Sequence, residues 1–224
     1  MLGLTLVFVT MGRPLEHALA IPGWAQPIVH TALLGGTLVA FVVFCATRDA
    51  DARATLGLRP RSWLLEVGLG LLGFFAVYAA ALLAVGILSV VVPKAQIADA
   101  IRDKEAAMEQ LRKVPLVPAL FVALFAGVYE ELAFRGFLLT RVRTLLGAEE
   151  GVRGGGREVA AVVLSAVFFG LGHLYQGPLG VAQTLVAGLV LGAIAAYRRS
   201  IVASMVAHVA VDVLGFVALH AATR

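Results

Sequence analysis

Two adjacent glutamates, Glu130 and Glu131, and an arginine, Arg135, interrupt the apolar stretch 115–140. A carboxylate or guanidinium near a bilayer centre costs about 2.5–3.5 kcal/mol, whereas each Leu, Val or Phe returns only about 0.3–0.6 kcal/mol. Three such groups within one helix therefore cost about 7–10 kcal/mol if all lie deep, so they must face protein or a water-filled cavity. Glu131 and Arg135 stand at i, i+4 with the acid first, the favourable order for an ion pair on one helical face. Glu130 is turned about 100° away. This spacing predicts that Glu131 and Arg135 support the site while Glu130 is left free to act.

The other buried polar groups fall in later apolar stretches. His173 follows Phe169 by four residues, and His208 precedes Asp212 by four, which puts each pair on one helical face. A lone histidine in an apolar helix is more often a hydrogen-bonded core residue than a catalyst. Here two histidines, an aspartate and a glutamate pair share three late spans with almost no other ionisable group, which points to a common cavity lining.

These residues require membrane helices to position them. The chain has 224 residues, 60% hydrophobic and 14% charged, with a mean hydropathy of +0.93. A soluble domain carries about 25% charged residues and could not bury so much apolar surface in one small core. The lipid bilayer is thus its solvent, and the fold class is all-α: a polytopic transmembrane helix bundle of about six spans forming a single membrane domain, 1–224. The spans fall near 28–46, 64–92, 115–140, 159–175, 179–197 and 201–219. Pro93 ends the second. Between it and the third, Ile97, Ile101, Met108 and Leu111 recur at helical spacing among charged residues, which reads as an amphipathic interfacial helix or a solvated helical connector. Gly188 and Gly192 form a small-xxx-small face suited to close packing. Residues 1–11 are apolar but short, and suit a partial or interfacial helix better than a cleaved signal peptide. The single cysteine, Cys45, allows no disulfide within the chain and no cysteine-built zinc site.

A net charge of +4, with basic residues in short clusters between spans, reflects topology and not nucleic-acid binding. The connectors after the first, third and fifth spans hold four, four and two Lys or Arg, ten in all, against seven on the other side. The ten-residue side is the cytoplasmic candidate. One tension in depth follows. Glu130 lies about 20 Å along its span from the seven-residue side, and His208 about 10 Å along its own from the ten-residue side, so those two agree. His173 falls about 24 Å along the fourth span, too far across, unless that span begins near Val163 or is strongly tilted.

Glu-Glu-Leu-Ala-Phe-Arg (130–135), Phe-Gly-Leu-Gly-His (169–173) and His-Val-Ala-Val-Asp (208–212) resemble the EExxxR, FxxxH and Hxxx[Asn/Asp] motifs of the CAAX protease and bacteriocin-processing (CPBP) family. That family comprises intramembrane glutamate proteases of the type II CAAX prenyl endopeptidase kind. The resemblance covers 115–219, with a weaker echo at Leu-Gly-Leu-Arg-Pro (56–60). It implies a catalytic-like core over 115–219 and an intramembrane endopeptidase without cofactor. Glu130 would activate a water, and His173 would hold that water and pass a proton to the leaving amine. His208 would stabilise the oxyanion with Asp212 orienting it, while Glu131, Arg135 and Phe169 support. Asp212 departs from the asparagine typical of the prenyl-protease branch, and an ionised aspartate cannot donate to an oxyanion.

The resemblance further implies a membrane-anchored protein or peptide substrate, since relatives process prenylated C-termini, peptide precursors or C-terminal sorting segments. A bacterial inner (plasma) membrane is the expected location. Two other readings stay open. Glu130, His173 and His208 are also a His2Glu zinc-ligand inventory, although no His-Glu-x-x-His motif accompanies them. A non-enzymatic transporter or scaffold would use the same polar groups to tie helices together; the absence of an internal repeat counts against the transporter.

Overall fold

The computed structural model describes residues 21–60, 62–148 and 154–221; the expectation for the extreme N-terminus lies outside them. The described residues form helices and no strand. They are α1 (Gln26–Ala46), the short α2 (Ala52–Thr55), α3 (Trp63–Val91), α4 (Lys94–Arg112) and α5 (Leu116–Glu131). A π-helical segment, Leu132–Leu138, joins α5 to α6 (Leu139–Leu145). Then come α7 (Gly156–Leu171), a 3-10 turn (Leu174–Gln176), α8 (Gly177–Arg198) and α9 (Val202–Ala221).

Five stretches are long and apolar enough to cross a membrane: α1, α3, the continuous run Leu116–Leu145, the turn with α8, and α9. The expected fourth span forms α7, whose 16 residues reach only about 24 Å, short of a full hydrocarbon core of about 30 Å. Lipid replaces protein around α3, where Leu64, Leu82 and Val90 are at least 72% exposed. Its 29 residues run about 43 Å and exceed the core, which tilt accommodates. Val92 is extended before Pro93, as a residue preceding proline prefers, so α3 stops and α4 starts at a corner.

The core is built by α9, which packs against α3 on one side and α5 on the other, and by α7 against α8. Glycines set those distances. A Cβ on Gly127 would lie 2.6 Å from Val209 Cγ2, and one on Gly70 2.5 Å from Val206 Cβ. Gly188 and Gly192 bring α8 equally close to Ala166 and Val162 of α7, the role their spacing predicts. Helix α4 is a 19-residue helix that packs on α8 and on the 3-10 turn, so it is part of the bundle and no loose connector.

The link between α8 and α9 is sunk into the protein. Arg199 adopts a left-handed conformation (φ 55) that reverses the chain within a few residues. Ser200 and Ile201 are buried. The Ile201 amide donates to Gly57 O at 3.1 Å, and Gly57 itself has φ +70. A Cβ on Gly136 would lie 3.1 Å from Leu56 O and 3.6 Å from Ile201 Cδ1. The Leu56–Gly57 stretch, the weak upstream echo in the sequence, therefore clamps this inset turn against the π-helical segment.

Candidate active site

Glu131 is fully buried, and its Oε1 accepts from Arg135 NH1 at 2.8 Å and lies 2.9 Å from His208 Nδ1. Arg135 also donates to Gly188 O at 3.3 Å and stacks its guanidinium 4.2 Å over the Phe169 ring. Charge, hydrogen bond and cation–π contact together hold an arginine that lipid would reject. The i, i+4 pair survives although Arg135 lies inside the π-helical segment. In the widened helix Phe134 O accepts from both the Leu139 N–H and, at 3.0 Å, Ser165 Oγ, which ties α7 to this turn. Such π segments concentrate at functional sites.

Phe169 forms the floor. Its ring meets Phe134, His173 and His208 edge-on at centroid distances of 5.1, 4.9 and 5.6 Å. His173 follows the end of α7, where its Nδ1 donates to Phe169 O at 2.8 Å. That bond fixes the Nδ1–H and turns Nε2 toward Glu130 Oε2, 3.9 Å away. His208 Nε2 approaches the same Oε2 at 3.8 Å and Asp212 Oδ2 at 3.7 Å. All the residues singled out from the sequence thus meet in one place.

The depth tension resolves, though not as expected, because α7 starts at Gly156 and not near Val163. The helix holding Glu130 continues to Leu145, so Glu130 lies about 22 Å and His173 about 25 Å from the ends joined by the α6–α7 loop. His208 reaches that depth from a turn already sunk to the level of Gly136.

Sequence reasoning missed Tyr129. Its hydroxyl donates to Glu130 Oε1 at 3.0 Å, which leaves Oε2 to both histidines. The ring is buried because Gly35 of α1 has no side chain: a Cβ there would lie 2.6 Å from Tyr129 Cδ1. Being adjacent to Glu130, Tyr129 carried no periodic signal. Gly188 as the acceptor for Arg135 was equally illegible, because the contact is to backbone.

Glu130, His173 and His208 approach one another, yet among the described residues no three His, Cys, Asp or Glu side chains are arranged to hold a metal ion. No curated protein and no solved structure matches the chain. Residues 112–214 match the family of Rce1-like type II CAAX prenyl endopeptidases. This stretch is a domain of that family. The Rce1-like domain contains all three motifs and every residue of the cluster. The protein is accordingly an integral membrane protein carrying a CAAX-type protease domain.

Proposed function

We propose that the chain is a glutamate-type intramembrane endopeptidase in which Glu130 and His173 activate a water. The observation that carries this is the convergence of both histidine Nε2 atoms on one carboxylate oxygen, Glu130 Oε2, at 3.8–3.9 Å. Those separations are too long for direct hydrogen bonds and suit a single shared water. Glu130 takes the water's proton as its oxygen attacks the scissile carbonyl carbon. The C–N bond then breaks, and the proton taken up by Glu130 passes through His173 Nε2 to the leaving amine. Glu131 accepts from His208 Nδ1, so in the imidazolium form His208 Nε2 donates to the tetrahedral oxyanion. Asp212, itself unable to donate when ionised, orients His208. Phe169 and Arg135 keep the rings and helices in place.

The burial of the two glutamates supports unequal roles. The Glu131 side chain is inaccessible and ion-paired, whereas Glu130 retains 13% exposure toward the histidines. The substrate is a membrane-anchored protein or peptide, and the location a bacterial inner membrane. The test compares processing of membrane-associated proteins, by C-terminal and leader-peptide proteomics, in cells carrying wild type or Glu130→Ala. Loss of specific cleavage with intact folding is expected; identical processing would overturn the reading. Activity of the purified protein should survive a chelator, while loss restored by zinc would favour the zinc hydrolase.

A further inference from the structure

Attack on a peptide bond places a full negative charge on the former carbonyl oxygen, and that charge is stabilised by preorganised donors. The donors around Glu130 are nearly all committed. Tyr129 gives its hydroxyl proton to Glu130 Oε1, His173 its Nδ1 proton to Phe169 O, and His208 its Nδ1 proton to Glu131 Oε1. Arg135 is spent on Glu131, Gly188 O and the Phe169 ring. His208 Nε2 remains, but two carboxylates, Glu130 and Asp212, contest it at 3.8 and 3.7 Å. An ionised Asp212 accepts hydrogen bonds and gives none. One contested donor is thus all that these residues offer an oxyanion.

Tyr175 carries a second donor that is not committed. It lies in the 3-10 turn two residues after His173, with its ring 5.9 Å from the imidazole and tilted 30° to it. Gln176 Nε2 donates to the Tyr175 hydroxyl oxygen at 2.9 Å, which turns the phenolic proton away from Gln176. Among the described residues no hydrogen bond takes that proton. The turn itself is braced. The Gln176 amide donates to His173 O at 2.9 Å, Gly177 ends the turn at φ 73, and Gly180 leaves room for Gln176 against α8. The Tyr175 hydroxyl is within electrostatic reach of Glu130, Asp212 and Tyr129, and the residue is 61% exposed, so a bound chain can meet it. We propose that Tyr175 is a catalytic residue that donates a hydrogen bond from its hydroxyl to the oxyanion formed on the scissile carbonyl. As the water oxygen bonds to the carbonyl carbon, the carbonyl π pair moves onto oxygen and is met by Tyr175 and His208 Nε2. The phenol keeps its proton throughout, and the electron pair returns when the C–N bond breaks. This inference rests on the protease reading above and supplies the donor that an ionised Asp212 does not.

The probe is a farnesylated peptide ending in Cys-aliphatic-aliphatic-X, the substrate class of the matching family, cleaved by the full chain in nanodiscs. Tyr175→Phe keeps the ring and should lower kcat about 10–100-fold with KM nearly unchanged. Its thermal unfolding should stay that of wild type. In an Asp212→Asn background, where the new amide can donate, Tyr175→Phe should cost only about threefold or less. A phosphinate analogue of the same peptide, tetrahedral and anionic at the scissile position, tests the contact without turnover. It should bind Tyr175→Phe at least about tenfold more weakly than wild type, while the uncleaved parent peptide binds both alike. A wild-type kcat in Tyr175→Phe overturns the inference. So does a loss confined to KM, which would mark a substrate contact or an interfacial anchor, or an equal loss in the Asp212→Asn background. If wild type leaves the peptide intact, the protein whose processing stops in Glu130→Ala cells replaces it as substrate. Absence of any Glu130-dependent cleavage would instead defeat the protease reading.

Discussion

A single hydroxyl decides which oxygen of Glu130 faces the histidines. Tyr129→Phe removes that donor while preserving the packed ring, and a hydrogen bond to a charged group contributes about 1.5–3 kcal/mol. Steady-state assays should show kcat falling about tenfold or more with KM nearly unchanged; a KM effect alone would contradict the positioning role. Arg135→Met has a different signature. It leaves the Glu131 carboxylate buried beside His208 without its cation, and breaking a buried pair costs about 3–5 kcal/mol. Thermal unfolding in detergent should show a large loss of stability, whereas Glu130→Gln should unfold as wild type does. From the proposed role of Asp212 in orienting His208, Asp212→Asn should remain active and Asp212→Ala should lose about tenfold in kcat.

Elements bring these side chains together through absences as much as contacts. Gly127 lies one turn before the glutamates and touches α9 at Val209, directly after His208. Gly127→Ala would place a methyl against the Val209 backbone and drive α9 outward, and overpacking of this kind costs about 1–3 kcal/mol. Both stability and kcat should fall, measured by unfolding and by cleavage; a silent Gly127→Ala would show that the α5–α9 distance does not set the site. The π-helical segment has a similar role, keeping the Glu131–Arg135 pair while turning Gly136 toward the inset turn.

At the scale of the whole molecule, charge is sorted between the two ends. Around the α6–α7 and α8–α9 connections, Arg141 pairs with Asp49 and Arg143 and Arg199 with Glu158. Arg198 pairs at 2.7 Å with Glu66, a buried acid in α3 that the sequence reading passed over. The sequence assigns ten basic residues to the connectors of this side, which predicts that it faces the cytoplasm. In a Cys45→Ser background, Arg157→Cys should resist an impermeant thiol reagent in intact cells and react after lysis. Labelling before lysis would reverse the orientation.

The sequence by itself determined the solvent and the helices, and it named the polar residues that the structure brings together. Apolar runs of spanning length demand a bilayer, and ionisable residues are so costly there that Glu130, Glu131, Arg135, His173, His208 and Asp212 stood out one by one. Helical periodicity also paired Glu131 with Arg135, because that relation is local. What periodicity cannot carry is depth, since it says which way a side chain points but not where a helix begins relative to its neighbours. Only the tertiary structure placed His173 level with Glu130, through a long α5–α6 run, a short α7 and an α8–α9 turn buried behind Gly57 and Gly136. Tyr129 and the Gly188 carbonyl that accepts from Arg135 were invisible for the same reason: each contact is made with another helix.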